Sequence, residues 1–208
     1  MAKQPKRFVA DFYKDMIGCC PEQLSANIRR NLERVDQVAN ECSKDLLLGE
    51  ELVKQLDCQP TRRAYIRAVC PYVEGQLLIL RVMPYLCPPL LARIPEKYGK
   101  LFAENMMDVP DRTRIKDLIK GTLYGVRAVC QLPASSKIMG ERGAQQLLVA
   151  FGVRDGLMHP KSPEAMMVSD EQLESARQGV CWIAEKTVEI MPQLAAAARS
   201  VVPDSEPQ

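Results

Sequence analysis

One histidine and an arginine shortly before it are the residues of this sequence best suited to acid-base chemistry. His159 is the only histidine among 208 residues, and Arg154 and Asp155 precede it. An imidazole exchanges protons near neutral pH, and a guanidinium can hold a phosphate through two hydrogen bonds. Metal-free RNA cleavage needs a base for the ribose 2′-hydroxyl, an acid for the leaving 5′-oxygen and a cation for the charge on phosphorus. Because one histidine cannot easily be both acid and base in one step, the pattern favours a dimer that combines two copies.

The spacing of this pair places a demand on the backbone. Five residues of an ideal helix turn through about 140°, so side chains at 154 and 159 would point apart. Gly156 weakens a helix, and Pro160 disfavours the helical conformation for the residue before it. We therefore expect a distortion that ends the helix at His159 and turns both side chains toward one cleft. The alternative for this histidine is a helix cap or an ordinary surface residue.

Two acidic residues are candidates for accessory roles. Asp155 can orient the imidazole of His159 or an attacking group, or it can be a solvated surface charge. Glu74 lies in the apolar half of a predicted helix. It is either a functional acid or the partner of an arginine on the same helix, such as Arg63 or Arg67.

The segment R-D-x-x-x-H-P lies between two predicted helices and resembles the signature of the HEPN family, the higher eukaryotes and prokaryotes nucleotide-binding domains. Arg154, Asp155 and His159 match the arginine, the polar residue and the histidine of its Arg-x4-His motif, and the following proline agrees. The upstream stretch RRAYIRAVCPYVEGQL resembles the first core helix of several HEPN groups, which aligns Glu74 with an acidic position near their cleft. The resemblance covers residues 59–199, and its specific part is a few residues.

This resemblance implies a metal-independent endoribonuclease that needs no cofactor. It implies a homodimer in which the Arg154 and His159 motifs of two subunits meet at the interface and cut RNA to leave a 2′,3′-cyclic phosphate. Many similar proteins are toxins or defence effectors, so an antitoxin or regulatory protein is an expected partner. Others keep the bundle as a noncatalytic module that binds a nucleotide or a protein, and this is the alternative function.

The elements that would position these residues are helices. Apolar positions recur three or four residues apart along the chain, and no run alternates with period two, so we predict an all-α protein. The resemblance implies an up-and-down helical bundle for residues 58–200. Residues 1–57 are predicted to be an N-terminal helical extension, in which a long amphipathic helix breaks near Ser43, and residues 201–208 a flexible tail.

Capping residues predict where the helices of the bundle begin. Thr61 is expected to cap the first, and Asp111 a helix whose basic face either follows an RNA backbone or is an ordinary solvent face. A helix over residues 141–153 precedes the motif. Ser169 and Gln172 form the pattern of a capping box at the start of the last helix.

Composition excludes several classes of protein. Because the net charge is only +2, the chain lacks the strong positive field of an obligate nucleic-acid coat. Aromatic residues are 5% of the chain and do not alternate with basic ones, so no stacking platform for single-stranded RNA is predicted. The eight cysteines contain no C-x-x-C pair, so no zinc site is predicted. Most of them lie in apolar periodic runs, and no signal peptide is found, so we expect reduced thiols and a cytoplasmic location. The N-terminus lacks a secretory signal, and prolines and arginines interrupt the most apolar stretch, so no membrane association is expected.

Overall fold

The computed structural model describes residues 26–102, 114–133 and 137–201, and these residues form a helical bundle. Of the described residues 85% are helical, and none lies in a strand. The α-helices are α1 (Ala26–Gln55), α2 (Gln59–Leu86), α3 (Pro88–Leu91), α4 (Glu96–Gly99), α5 (Ile115–Val129), α6 (Arg142–Met158) and α7 (Asp170–Val201). Short 3-10 turns cover Lys100–Phe102, Ile138–Gly140 and Glu164–Met166. The prediction of an all-α bundle is confirmed.

Helix α2 is the centre of the bundle. It packs along α1 and α7 and also contacts α5 and α6, while α6 packs along α7. Val69, Val73, Leu77 and Leu80 of α2 are fully buried. The helix that carries Glu74 is therefore surrounded by the other long helices, including the one that carries Arg154.

Helix α1 is continuous where a break is predicted. Ser43 lies inside it, and its hydroxyl donates to the carbonyl of Ala39 at 2.7 Å. The hydroxyl thus bonds within the helix, as serine can do without ending it. Val35, Leu46 and Val53 recur on one buried face of α1. Of the predicted tail at 201–208, Val201 is the last residue of the final helix, and the other residues lie outside the described part of the chain.

The start of α2 differs from the prediction by three residues. Cys58, not Thr61, is the N-cap residue. The Cys58 amide donates to the Thr61 hydroxyl at 3.2 Å, and the Thr61 amide donates back to the Cys58 thiol, so the pair forms a capping box. Thr61 contributes to the cap from the third helical position.

The remaining helix starts agree with the sequence to different degrees. Helix α5 begins at Ile115, and Asp111, its predicted cap, lies outside the described residues. The predicted capping box of α7 is confirmed: the Ser169 amide donates to the Gln172 side chain at 3.0 Å, and the Gln172 amide donates to the Ser169 hydroxyl at 3.3 Å.

No described helix is long and apolar enough to cross a membrane.

Helices α6 and α7 approach each other closely. A Cβ atom built on Gly179 of α7 would lie 2.7 Å from the Cα of Leu147 on α6. Near the start of α6, the Trp182 indole donates to the Glu141 carboxylate at 2.8 Å, and Lys186 forms an ion pair with the same carboxylate at 3.0 Å. These contacts fix α6, and with it the Arg154 and His159 motif, against α7.

Candidate functional site

His159 is the residue at which helix α6 ends. Its backbone has φ −130° and ψ 61°, outside the helical region, and its amide still donates to the carbonyl of Asp155 at 3.1 Å. The imidazole is exposed, as is Pro160 after it. The predicted helix end at His159 is confirmed, and the only histidine of the chain is open to solvent.

The helix before it is longer and more regular than predicted. Helix α6 continues to Met158 instead of ending near Val153, so Arg154, Asp155 and Gly156 are helical. Leu157 is buried, which holds the last turn in place despite the glycine. The distortion expected at Gly156 does not occur, and the helix ends only at the residue before Pro160.

This regular helix directs Arg154 and His159 to different sides. Five residues of regular helix separate side-chain directions by about 140°. The Arg154 charge acts on Cys70 and Glu74 of α2, so Arg154 faces that helix. His159 follows Gly152 and Gly156 along the other side of α6. Positions 154 and 159 therefore lie on different sides of α6.

Arg154 is half-buried and ion-paired with its neighbour. One guanidinium nitrogen donates to the Asp155 carboxylate at 2.9 Å, and 40% of the Arg154 side chain is exposed. This hydrogen bond raises the pKa of Arg154, which keeps the side chain charged. A guanidinium has five N–H donors, and within the described residues Arg154 uses only this one bond. The others remain able to contact an anion.

Glu74 lies close enough to Arg154 for their charges to interact. Burial by neighbouring side chains raises the pKa of Glu74, although the charges of Arg154 and Arg81 act to lower it. One helical turn earlier, burial raises the pKa of Cys70 to about 12, so this thiol is neutral. The cations that act on Glu74 are Arg154 of α6 and Arg81 of its own helix, and not the predicted Arg63 and Arg67.

A groove of about 370 Å³ runs along the side of α6 that leads to His159. It lies between α6, the Glu164–Met166 turn and the beginning of α7. Its lining residues are Val149, Gly152, Val153, Gly156, Glu164, Ala165, Met167 and Gln172. Because a Cβ atom on Gly152 or Gly156 would have no described neighbour within 4 Å, this side of α6 is open. The spacing of residues in the sequence does not reveal this groove, since its other wall comes from a loop.

The loop between His159 and α7 is fixed at its far end by the first turn of α2. The Gln59 side chain accepts from the Val168 amide at 2.7 Å and donates to the Val168 carbonyl at 3.0 Å. Arg62 also donates to that carbonyl, at 3.1 Å, and pairs with Asp170 at 2.6 Å. Sequence reasoning misses these residues, because their partners lie about a hundred positions away and no local pattern marks them.

The remaining groups with reactive chemistry are scattered. The six described cysteines are free thiols, of which Cys70 is buried and Cys181 exposed. Among residues 26–102, 114–133 and 137–201, no three His, Cys, Asp or Glu side chains are grouped as metal ligands would be.

No protein family model, curated protein or solved structure matches this chain.

Proposed function

We propose that this protein is a metal-independent endoribonuclease of the HEPN type that acts as a homodimer. The observation that carries the proposal is the exposed His159 at the end of α6, five positions after a charged arginine with unused hydrogen-bond donors. A solvent-exposed imidazole can exchange protons with a bound substrate, and the arginine can hold its phosphate.

The proposed reaction uses two histidines, one from each subunit. One His159 takes the proton of the ribose 2′-hydroxyl as the 2′-oxygen attacks phosphorus. The bond from phosphorus to the 5′-oxygen breaks, and the second His159 gives that oxygen a proton. Arg154 stabilises the negative charge on the phosphoryl oxygens. The products are a 2′,3′-cyclic phosphate and a free 5′-hydroxyl. The proton taken from the 2′-hydroxyl is matched by the proton given to the 5′-oxygen.

The geometry of one subunit is a reason for the dimer. Because positions 154 and 159 are about 140° apart around the axis of a regular helix, a phosphate held by Arg154 of one chain needs a proton donor or acceptor from elsewhere. A second chain supplies it. Glu74 is a positioning residue in this proposal, since its charge acts on the Arg154 guanidinium, and Asp155 holds that guanidinium until RNA displaces it.

The biological setting is part of the same proposal. The free thiols agree with a reducing compartment, so we propose the cytoplasm as the place of action. An RNase that cuts cellular RNA must be controlled, which fits a toxin or defence effector that is inhibited by an antitoxin or regulatory protein.

The direct test is cleavage of a generic RNA in the presence of a chelator. We expect His159→Ala and Arg154→Ala to abolish cleavage and leave the circular dichroism spectrum unchanged. Arg142→Ala, which removes an exposed arginine from the other end of α6, is the matched control and should retain full activity. Cleavage that persists in the His159 variant would contradict the proposal.

Coexpression tests whether two histidines share one site. If both are required, mixed dimers of wild-type and His159→Ala chains are inactive, and activity falls with the square of the wild-type fraction. If each chain works alone, activity falls in direct proportion to that fraction, and the two-histidine mechanism is wrong.

A second candidate function is a noncatalytic helical module that binds a protein partner. The observation in its favour is an exposed apolar stripe at the end of α1, where Leu48, Leu52 and Leu56, the residue just after the helix, follow one another four residues apart and are 60%, 39% and 64% exposed. Leucines exposed in a row are unusual on a surface without a partner. Nuclease-free protein that dimerises in solution and cuts no RNA would favour this function.

A further inference from the structure

Two tyrosines from separate helices form a stacked pair at the surface. The ring centroids of Tyr98 on α4 and Tyr124 on α5 are 6.1 Å apart, and the ring planes differ by 15°. Both side chains are half-buried, so each packs partly against the core and is partly open to solvent. The fold thus brings together two aromatic rings that are 26 positions apart in the sequence.

A glycine of α5 allows this approach. A Cβ atom on Gly121 would lie 3.5 Å from Cδ1 of Tyr98 and would overlap Leu101. The absence of a side chain lets α4 and the following 3-10 turn lie directly on α5. The position of the tyrosine pair is therefore built into the packing of these two elements.

Four lysines lie on the elements that carry the pair. The ammonium of Lys97 lies 4.9 Å from the centre of the Tyr98 ring, and Lys100 is exposed one turn further on. On α5, Lys116 and Lys120 are exposed and precede Tyr124 by two turns and one turn, so all three lie along one stripe.

The charge around the tyrosines is positive. Within the described residues none of the four lysines forms an ion pair. The exposed Arg114 adds a further positive charge at the start of α5, and Glu96 and Asp117 are the acidic residues of the same elements. Among the described residues, these four lysines and Arg114 are five cations beside two acids, although the whole chain is nearly neutral at +2.

We propose that Tyr98, Tyr124 and the four lysines form a binding surface for single-stranded RNA, the tyrosine-lysine surface, separate from the Arg154 and His159 residues. An unpaired base stacks on the face of Tyr124 that is turned away from Tyr98, and the lysines contact the phosphates on either side. Proteins that hold single strands without reading their sequence combine these two elements, aromatic faces and a line of cations. The choice of RNA over DNA rests on the proposed nuclease function.

Aromatic stacking makes a nucleic acid a better occupant than an acidic peptide. Lysines alone would serve both ligands, because both carry negative charge. The ring of Tyr124 beside the cations offers a flat face, which suits the flat face of a base. A base in a duplex is already stacked and paired, so the surface should prefer single strands.

Fluorescence anisotropy with a labelled 2′-O-methyl oligoribonucleotide measures binding independently of cleavage, since this probe lacks the attacking hydroxyl. We expect the full-length protein to bind the single strand more tightly than its duplex. Tyr124→Leu, which keeps an apolar side chain against the core, should weaken binding about tenfold, the loss expected for one unstacked base. Tyr124→Phe, which keeps the ring, should bind as the wild type does.

Charge variants test the lysines. Lys116→Gln and Lys120→Gln should each lower the slope of log Kd against log salt concentration by about 0.7. Lys54→Gln is the control: it removes the same charge from α1, which is not part of the tyrosine-lysine surface, and should leave the slope unchanged. Melting temperatures close to the wild type show that each variant is folded.

The outcomes separate the two proposals. If Tyr124→Leu loses binding and the wild type does not cut RNA, the result supports the proposed surface and contradicts the proposed nuclease function. If the wild type cuts RNA and Tyr124→Leu binds as tightly as Tyr124→Phe, the proposed surface is wrong and the proposed nuclease function still stands. Binding of a glutamate-rich peptide by the same residues, and of no oligonucleotide, also overturns it.

Discussion

Arg154 donates a hydrogen bond to the carboxylate of Asp155, its own neighbour in the sequence, at 2.9 Å. Both side chains are substantially exposed, 40% for Arg154 and 68% for Asp155. An exposed pair of this kind contributes less than about 1 kcal/mol to folding. Its main effect is on function, because it occupies the arginine that the proposed reaction needs.

Asp155→Asn should therefore change RNA binding more than stability. Releasing the guanidinium and removing a nearby negative charge should lower KM for RNA by about two- to fivefold, the factor that matches an exposed ion pair. Cleavage rates over a range of RNA concentrations give KM and kcat. A large fall in kcat at unchanged KM would show instead that Asp155 orients the His159 imidazole.

The Glu141 carboxylate should make stability depend on pH. Burial acts to raise its pKa, but hydrogen bonds from Trp182 and Lys186 outweigh burial and lower it. A carboxyl whose pKa is lower in the folded state stabilises the fold above its unfolded pKa, and this stabilisation is lost as the pH falls through the folded pKa.

Glu141→Gln should remove this effect. We expect the variant to be less stable at pH 7 by up to about 1 kcal/mol, and the difference to disappear in acid once the wild-type carboxyl is protonated. Urea unfolding followed by tryptophan fluorescence at several pH values measures the difference. An equal deficit at every pH would contradict the assigned role of the charge.

Gly179→Ala should destabilise the contact between α6 and α7. The new methyl group would meet the backbone of Leu147 at 2.7 Å, and backbone cannot rotate away as a side chain can. We expect a loss of about 2 to 3 kcal/mol from overpacking. Gly152→Ala is the matched control: its Cβ meets no described atom within 4 Å, so it should gain about 0.5 to 1 kcal/mol from the helix preference of alanine. Similar melting temperatures for both variants would show that the helices move apart easily.

Gln59→Ala should loosen the loop that follows His159. The substitution removes both hydrogen bonds to Val168 and leaves its buried amide unpaired, at a cost of about 1 to 3 kcal/mol. Limited proteolysis with mass spectrometry should detect faster cleavage within residues 160–167, while cleavage elsewhere stays at the wild-type rate. Unchanged cleavage of this segment would mean that Arg62 alone is sufficient to hold it.

The parts of the fold that depend on local chemistry are predictable from the sequence. Apolar spacing gives the helices because each must bury one face, and the Ser169 capping box is read directly because its two hydrogen bonds join residues three apart. The end of α6 at His159 follows from Pro160 for the same reason.

The parts that depend on distant neighbours are not predictable in this way. A glycine costs a helix about 1 kcal/mol, which favours an early end to α6, but burial of Leu157 outweighs that cost. Spacing along α2 suggests Arg63 or Arg67 for Glu74, whereas the fold places Arg154 of another helix near it. The stacking of Tyr98 on Tyr124 is likewise a product of packing between elements.

The pairing of sequence neighbours has a consequence for how the chain folds. Helix α1 packs along α2, and α6 packs along α7, so much of the tertiary structure joins segments that are adjacent in the sequence. Such short-range topology closes small loops first and costs little chain entropy, which favours rapid folding. We expect each helical hairpin to form early and the docking of α2 against α7 to follow, since that contact joins segments about a hundred residues apart.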